Sequence, residues 1–117
     1  MKAVVVTATG VQIQDVPAPT PKPNEVLIRV RACGLNRADL MVASGMAHGR
    51  AGGAGTIVGL EFVGEVAGLG AEAKAESGLQ IGDRVMCGGA QGWAEYAVAD
   101  WGRAAKIPDG NVSWNEA

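Results

Sequence analysis

Prolines stand at positions 17, 19, 21 and 23, every second residue of VPAPTPKPNE. Each fixes its own φ and drives the residue before it away from the helical region. The tract must therefore be extended, and it reads as a stiff surface connector between two elements. A proline-groove ligand would need PxxP spacing, which this run lacks.

Strands are expected on both sides of the connector. Glu25–Ala32 alternates cleanly, with Val26, Ile28 and Val30 on one face and Leu27, Arg29 and Arg31 on the other. Upstream, Lys2–Thr7 and Val11–Val16 read as two strands joined by the turn Ala8-Thr9-Gly10. In the second of these, Val11 and Ile13 alternate with Gln12 and Gln14, the pattern of a half-exposed strand. Downstream, Phe62–Ala67, Arg84–Cys87, Trp93–Val98 and Ala104–Ile107 read as further short strands, and Gly68–Gly82 as a polar excursion between two of them. Asn36–Ser44 reads as one short helix, with Leu40 and Met41 as its apolar contacts. Many short strands, glycine-rich turns and one small helix predict a mostly β domain, a barrel or sandwich.

With 117 residues, 48 % of them hydrophobic, the chain is long enough for one domain with a real core and too short for two ordinary domains. Aromatics are only 4 %, so packing must rest on Val, Ala, Leu and Ile. A net charge of −2 with interspersed signs gives no nucleic-acid footprint. No apolar run reaches the length of a membrane span or a signal-peptide core. Cys33 and Cys87 form no CxxC and no disulfide framework, so reduced thiols and a cytoplasmic location are expected. Near the end, Ser113-Trp114-Asn115-Glu116 is a capping box, a helix start signal with a single residue after it. That pattern predicts a piece of a longer protein.

The stretch richest in chemistry runs from Cys33 to Glu61. It leaves a strand, turns at Asn36 into the helix, crosses the loop Gly45–Gly59 and reaches Glu61 at the next strand. Asn36 suits the N-cap and Asp39 the N3 position of an imperfect capping box. Polar residues gathered at element ends are where sites tend to be built. Asn36 can be simply a cap, or it can cap while its amide NH₂ points into a cleft.

Five segments in order, RACGLNRADL, GTIVGLEFVGEV, GDRVM, GWAEYAV and the opening MKAVVV, resemble the amino-terminal, GroES-like domain of the medium-chain dehydrogenase/reductase superfamily. The prolines before EVLIRV and the terminal VSWNEA fit as well, so the resemblance covers essentially the whole chain. The branch it resembles is that of the zinc-independent quinone oxidoreductases, including vesicle amine transport protein-1-like members. The resemblance implies a GroES-like, partly open β-barrel over residues 1–117, with the nucleotide-binding Rossmann domain absent from this chain. It implies hydride transfer from NADPH to a quinone or other conjugated carbonyl, a fragment inactive alone, and a homodimeric full-length parent. No nucleic acid or membrane partner is implied. Asn36 would lie beside the nicotinamide ribose and substrate, with Asp39 orienting groups next to it, and Glu61 would be a supporting acid.

Zinc alcohol dehydrogenases of the superfamily carry a Cys where this chain has Asn36, and a His before the acid that aligns with Glu61. Here that neighbour is Leu60, which cannot ligate, while the Asn36 amide is a poor ligand and the four-cysteine structural loop is missing. A catalytic zinc needs three protein ligands. No metal is therefore expected, and Cys33 reads as a small buried hydrophobe. The chain also departs from related quinone reductases, which carry tyrosines in and just after the helix. Met41 and Ala47 stand at those substrate-side positions, implying a differently shaped mouth. Glycine and alanine replace the family's loop prolines, so a mobile loop is expected, holding the lone His48 and Arg50.

Gly68-Leu69-Gly70-Ala71-Glu72-Ala73 spells G-x-G-x-x-A after a strand, the form of a dinucleotide fingerprint. A working fingerprint opens a long helix in a βαβ unit, whereas here Gly78 soon interrupts any helix. It reads as a decoy. Two other functions stay open beside quinone reduction: an enoyl or alkenal reductase of the same superfamily, and a non-enzymatic GroES-like binding module.

Overall fold

The proline tract does separate two structural units, a hairpin before it and a sheet after it. The computed structural model describes residues 1–44, 55–108 and 113–114. The hairpin pairs β1 (Lys2–Thr7) with β2 (Gly10–Asp15) in antiparallel register, Val4 opposite Ile13 and Val6 opposite Val11. The sheet is built from β3 (Glu25–Cys33), β4 (Glu61–Leu69), β5 (Arg84–Gly88), β6 (Tyr96–Asp100) and β7 (Ala104–Lys106). Its order is β6-β3-β4-β5-β7, with every neighbour antiparallel. Isolated bridges from Ala3 to Ala94 and from Val5 to Ile57 fasten the hairpin to the loops of the sheet. The result is mostly β, as the strand pattern predicts, and of the alternatives barrel or sandwich it is the partly open barrel that the resemblance implies.

The alternation in β3 sets the main core. Val26 and Ile28 are fully buried, and they meet Phe62, Val66, Val85, Cys87, Ala97 and Ala99 from the neighbouring strands. Burying each such aliphatic side chain contributes about 1.5–3 kcal/mol. Two register shifts mark the β3–β4 pairing, one between Leu27 and Ile28 and one between Val30 and Ala32. Shifts of this kind sharpen strand twist, as a sheet curling into a barrel requires.

Three local expectations are corrected. Gly68–Gly82 is not a plain excursion: β4 runs to Leu69, and a second short helix, α2 (Ala71–Glu76), drops Ala73 into the core. The helix α1 spans Arg37–Ala43 between caps Asn36 and Ser44, but Leu40 and Met41 are not its packing residues. They are 68 % and 37 % exposed, while Asp39 and Val42, on the opposite turn face, are buried. Val42 joins Val6 and Val58 in a second small core between α1 and the hairpin. In β2 the apolar alternation is present but uncovered, with Ile13 74 % exposed.

Candidate functional site

The end of β3 and the start of β4 lie side by side, Cys33 paired with Phe62, and this puts the two halves of the sequence stretch together. The N–H of Gly34 donates to the carbonyl of Glu61 at 3.0 Å, extending the ladder by one bond. A β-carbon at Gly34 would strike the Glu61 side chain, so glycine is what allows that carboxylate to lie over the turn. The carbonyl of Gly34 accepts from Trp93 Nε1 at 3.1 Å. The same indole lies 2.7 Å from where a β-carbon of Gly59 would stand, and Gly59 has φ +119°. Trp93 thus clamps the exit of β3 and the entry to β4. Its backbone N–H donates to Val58 and its carbonyl accepts from Val4.

Directly after this clamp comes Asn36, half-buried, with the extended backbone of an N-cap (φ −122°, ψ 155°). Asp39 turns back toward it, and Oδ2 accepts the Asn36 N–H at 2.8 Å. Asp39 is 1 % exposed, and its Oδ1 has no hydrogen-bond partner among the described residues. A buried acceptor without a donor is costly, and such atoms mark places where a further group belongs. Around the cap, Leu35 is 81 % and Leu40 68 % exposed, and Met41 adds partly open apolar surface. The arrangement offers a neutral amide, a buried carboxylate and an apolar rim. A neutral amide of this kind can hydrogen-bond an uncharged polar group.

Of the expected site residues, Asn36, Asp39 and Met41 are therefore held on one short helix, with Glu61 beside the turn that precedes it. Ala47, His48 and Arg50 lie outside the described residues, as do Asn115 and Glu116 of the terminal capping box. Cys33 corrects its expectation: it is exposed, because β3 runs out beyond the core before its last residue. It lines a cavity of about 430 Å³ with Glu61, Phe62, Met86, Cys87 and Trp114. Partial burial and the nearby Asp39 carboxylate push the Cys33 thiol up from its ordinary value, and burial pushes Cys87 up to about 12. Among the described residues no three His, Cys, Asp or Glu side chains gather as a metal would need. Leu60 supplies only a carbonyl, which accepts from Gly89 at 2.9 Å.

The decoy motif is occupied by packing. Gly70 caps α2 where a side chain would collide with the Lys22 and Pro23 carbonyls, and the N–H groups of Gly70 and Ala73 donate to Glu25 and Pro23. Those amides are already committed and are not aimed at a phosphate. Trp93 is marked by no periodicity, and the strand expected over Trp93–Val98 forms as Tyr96–Asp100, leaving it outside. With aromatics so scarce, a tryptophan beside glycine, whose buried N–H needs an acceptor, was the available signal.

Residues 22–109 match the alcohol dehydrogenase GroES-like domain family. The chain belongs to that family. Its relatives are medium-chain dehydrogenase/reductases. Trans-enoyl reductase xenG of Xenoacremonium sinensis is 36 % identical over 112 residues, 86 % of this chain and 28 % of that protein. The crystal structure of the human synaptic vesicle membrane protein VAT-1 homolog-like protein superposes with a TM-score of 0.88 at 37 % identity, covering 100 % of this chain and 38 % of that one. The quinone oxidoreductase from Thermus thermophilus, solved also with NADPH, gives a TM-score of 0.72 at 30 % identity over 94 % of this chain and 33 % of that one. This GroES-like chain spans 28–30 % of the trans-enoyl reductases it matches. Among its described residues no helix is long and apolar enough to cross a membrane.

Proposed function

We propose that this chain is the substrate-side domain of a longer, zinc-independent, NADPH-dependent oxidoreductase that reduces a quinone or another conjugated carbonyl. The observation that carries the reading is the Asn36–Asp39 box: a residue with a neutral amide side chain, its backbone N–H held by a buried carboxylate, beside exposed apolar side chains. The quinone oxidoreductase with NADPH among the structural relatives gives the reading its chemistry. Bound NADPH would supply the hydride. The chain's own residues would position and exclude: Asn36 orients the nicotinamide side and the substrate oxygen, Asp39 holds Asn36, and Leu35, Leu40 and Met41 keep the meeting surface dry. Zinc independence rests on the donor set, with Leu60 apolar and Asn36 neutral. Two free thiols suit a reducing cytoplasm, and the longer parent is taken to be a homodimer.

A second reading has its own support. The trans-enoyl reductase relatives favour an enoyl substrate in the same cleft. The deciding measurement is steady-state NADPH oxidation by the longer protein with a naphthoquinone and with a trans-2-enoyl thioester. Higher kcat/KM on the quinone supports the first reading and the reverse order the second. Absence of turnover on either, in folded protein that binds NADPH, would sink both and leave a binding module.

A further inference from the structure

Between the end of β3 at Cys33 and the start of α1 at Arg37 the chain crosses only Gly34, Leu35 and Asn36. Whatever fixes so short a bridge decides where the Asn36 side chain stands. Gly34 brings no side chain and Leu35 is exposed, so neither packs the bridge down. The strand end is held instead through the backbone of Gly34, whose N–H donates to the Glu61 carbonyl and whose carbonyl accepts from Trp93 Nε1. The helix end is held by Val42, which meets Val6 and Val58, and Trp93 packs against that same cluster beside Ala43. One residue therefore touches both anchors of the bridge that carries Asn36.

Trp93 is itself placed with little freedom. Its backbone N–H donates to Val58 at 2.8 Å, its carbonyl accepts from Val4 at 2.9 Å, and the next residue, Ala94, bridges to Ala3. The ring lies where Gly59 lacks a side chain, with Cδ1 2.7 Å from the position a β-carbon would take. The half-buried indole has a single donor to place, and Gly34 receives it at 3.1 Å. A phenylalanine could fill much of this space and could not make the bond.

We infer that Trp93 is the positioning residue for Asn36, acting through the Gly34 carbonyl at one end of the bridge and the Val42 cluster at the other. The inference rests on the reading of Asn36 as a polar contact of the reaction. A tryptophan that served the fold alone would matter to stability alone. One that sets the bridge must also govern how often the bond from the Asn36 N–H to Asp39 opens, and how well Asn36 meets what it orients.

Trp93→Phe, which keeps a ring and removes the donor, tests it twice. In the 117-residue chain the Asn36 amide, bonded to Asp39 Oδ2, should exchange about 10-fold faster. The amides of Val66 and Gly70, bonded to Asp83 and Glu25, should keep their parent rates. A rise shared equally by all three marks general loosening and overturns the inference, as does an unchanged rate at Asn36. In the longer enzyme Trp93→Phe should lower kcat about 10-fold, less than the loss of the Asn36 amide itself. Added to Asn36→Ser it should cost nothing more, because the contact it positions is already gone. Ile28→Val thins the main core without touching the bridge and should leave kcat unchanged. Losses that multiply in the double variant overturn positioning through Asn36. Unchanged turnover in Trp93→Phe, or an equal fall in Ile28→Val, does so too. Selective exchange at Asn36 in a chain whose longer form turns over neither quinone nor enoyl substrate supports the clamp and removes the oxidoreductase reading.

Discussion

The carboxylate of Asp39 accepts the backbone N–H of Asn36 at 2.8 Å, and this bond ties the first turn of α1 to the point where β3 is left behind. Asp39 is buried and Asn36 is half-exposed, so the acid acts from beneath the residue it holds. The two residues should therefore respond differently to substitution.

Asn36→Ser keeps a capping oxygen but loses the amide. In the longer enzyme it should melt close to the parent protein while turnover falls on the order of 10²-fold, the scale of losing one oriented polar contact in a dry site. Asn36→Ala should show the same rate loss plus about 1 kcal/mol of lost cap. Thermal melting and kcat measured together decide it. Full turnover in Asn36→Ser would reduce the residue to a cap.

Asp39→Asn keeps the shape and can still accept the Asn36 N–H through its amide oxygen, but removes the charge. That charge is the second cause, after burial, of the raised Cys33 thiol. A nearby anion disfavours the thiolate, so neutralising it must lower the thiol's titration midpoint. The pH profile of iodoacetamide alkylation at Cys33 should move to lower pH in Asp39→Asn. Superimposable profiles would show that Asp39 does not act on the thiol.

The 117-residue chain alone should give no calorimetric signal with NADPH at micromolar concentrations. The Gly70 and Ala73 amides at the start of α2 are already given to Glu25 and Pro23. Micromolar binding would return Gly68–Ala73 to consideration as a phosphate site.

How much of this was legible in the sequence depended on whether local pattern or distant packing decided each residue. The β3 alternation and the Asn36–Asp39 spacing are local signals, and both elements formed where those signals placed them. Leu40 and Met41 misled, because an apolar residue on a short helix looks like core until its neighbours are known. The face that turns inward is set by Val42 meeting Val6 and Val58, a contact across the fold. Cys33 misled for a related reason: whether the last residue of a strand is covered depends on what crosses it. Trp93 joins Gly34 to Gly59 through a hydrogen bond and a close approach, and no periodicity announces a contact of that kind.

Gly34→Ala should destabilise the chain by about 1–3 kcal/mol, the range for forcing extra volume into a filled site. All three atoms nearest the added carbon belong to the Glu61 side chain. Truncating that side chain should therefore relieve the clash. In a double-mutant cycle, Gly34→Ala with Glu61→Ala should cost clearly less than the sum of the single changes. Additive losses in urea melts would mean that the turn fails for a reason other than this contact.

Cys87 gives the fold a dependence on alkaline pH. Its thiol is buried in the main core opposite Phe62, and burial raises it from 9.0 to about 12. A group whose folded value is raised contributes its full stability below the unfolded value and loses it as pH climbs toward the folded one. The unfolded chain releases this proton near 9, while the folded chain keeps it until about 12. Between those limits the thiol alone should lower stability by about 1.4 kcal/mol per pH unit. The chain carries other ionisable groups, so the informative quantity is the difference between two proteins. Cys87→Ala should be less stable at neutral pH, because it leaves a small void beside Phe62, yet its stability should fall less steeply from pH 9 upward. The two urea-derived stability curves should converge as pH rises. Curves that stay parallel would mean that the Cys87 thiol ionises in the folded chain as readily as in the unfolded one, and that the core around Phe62 admits water.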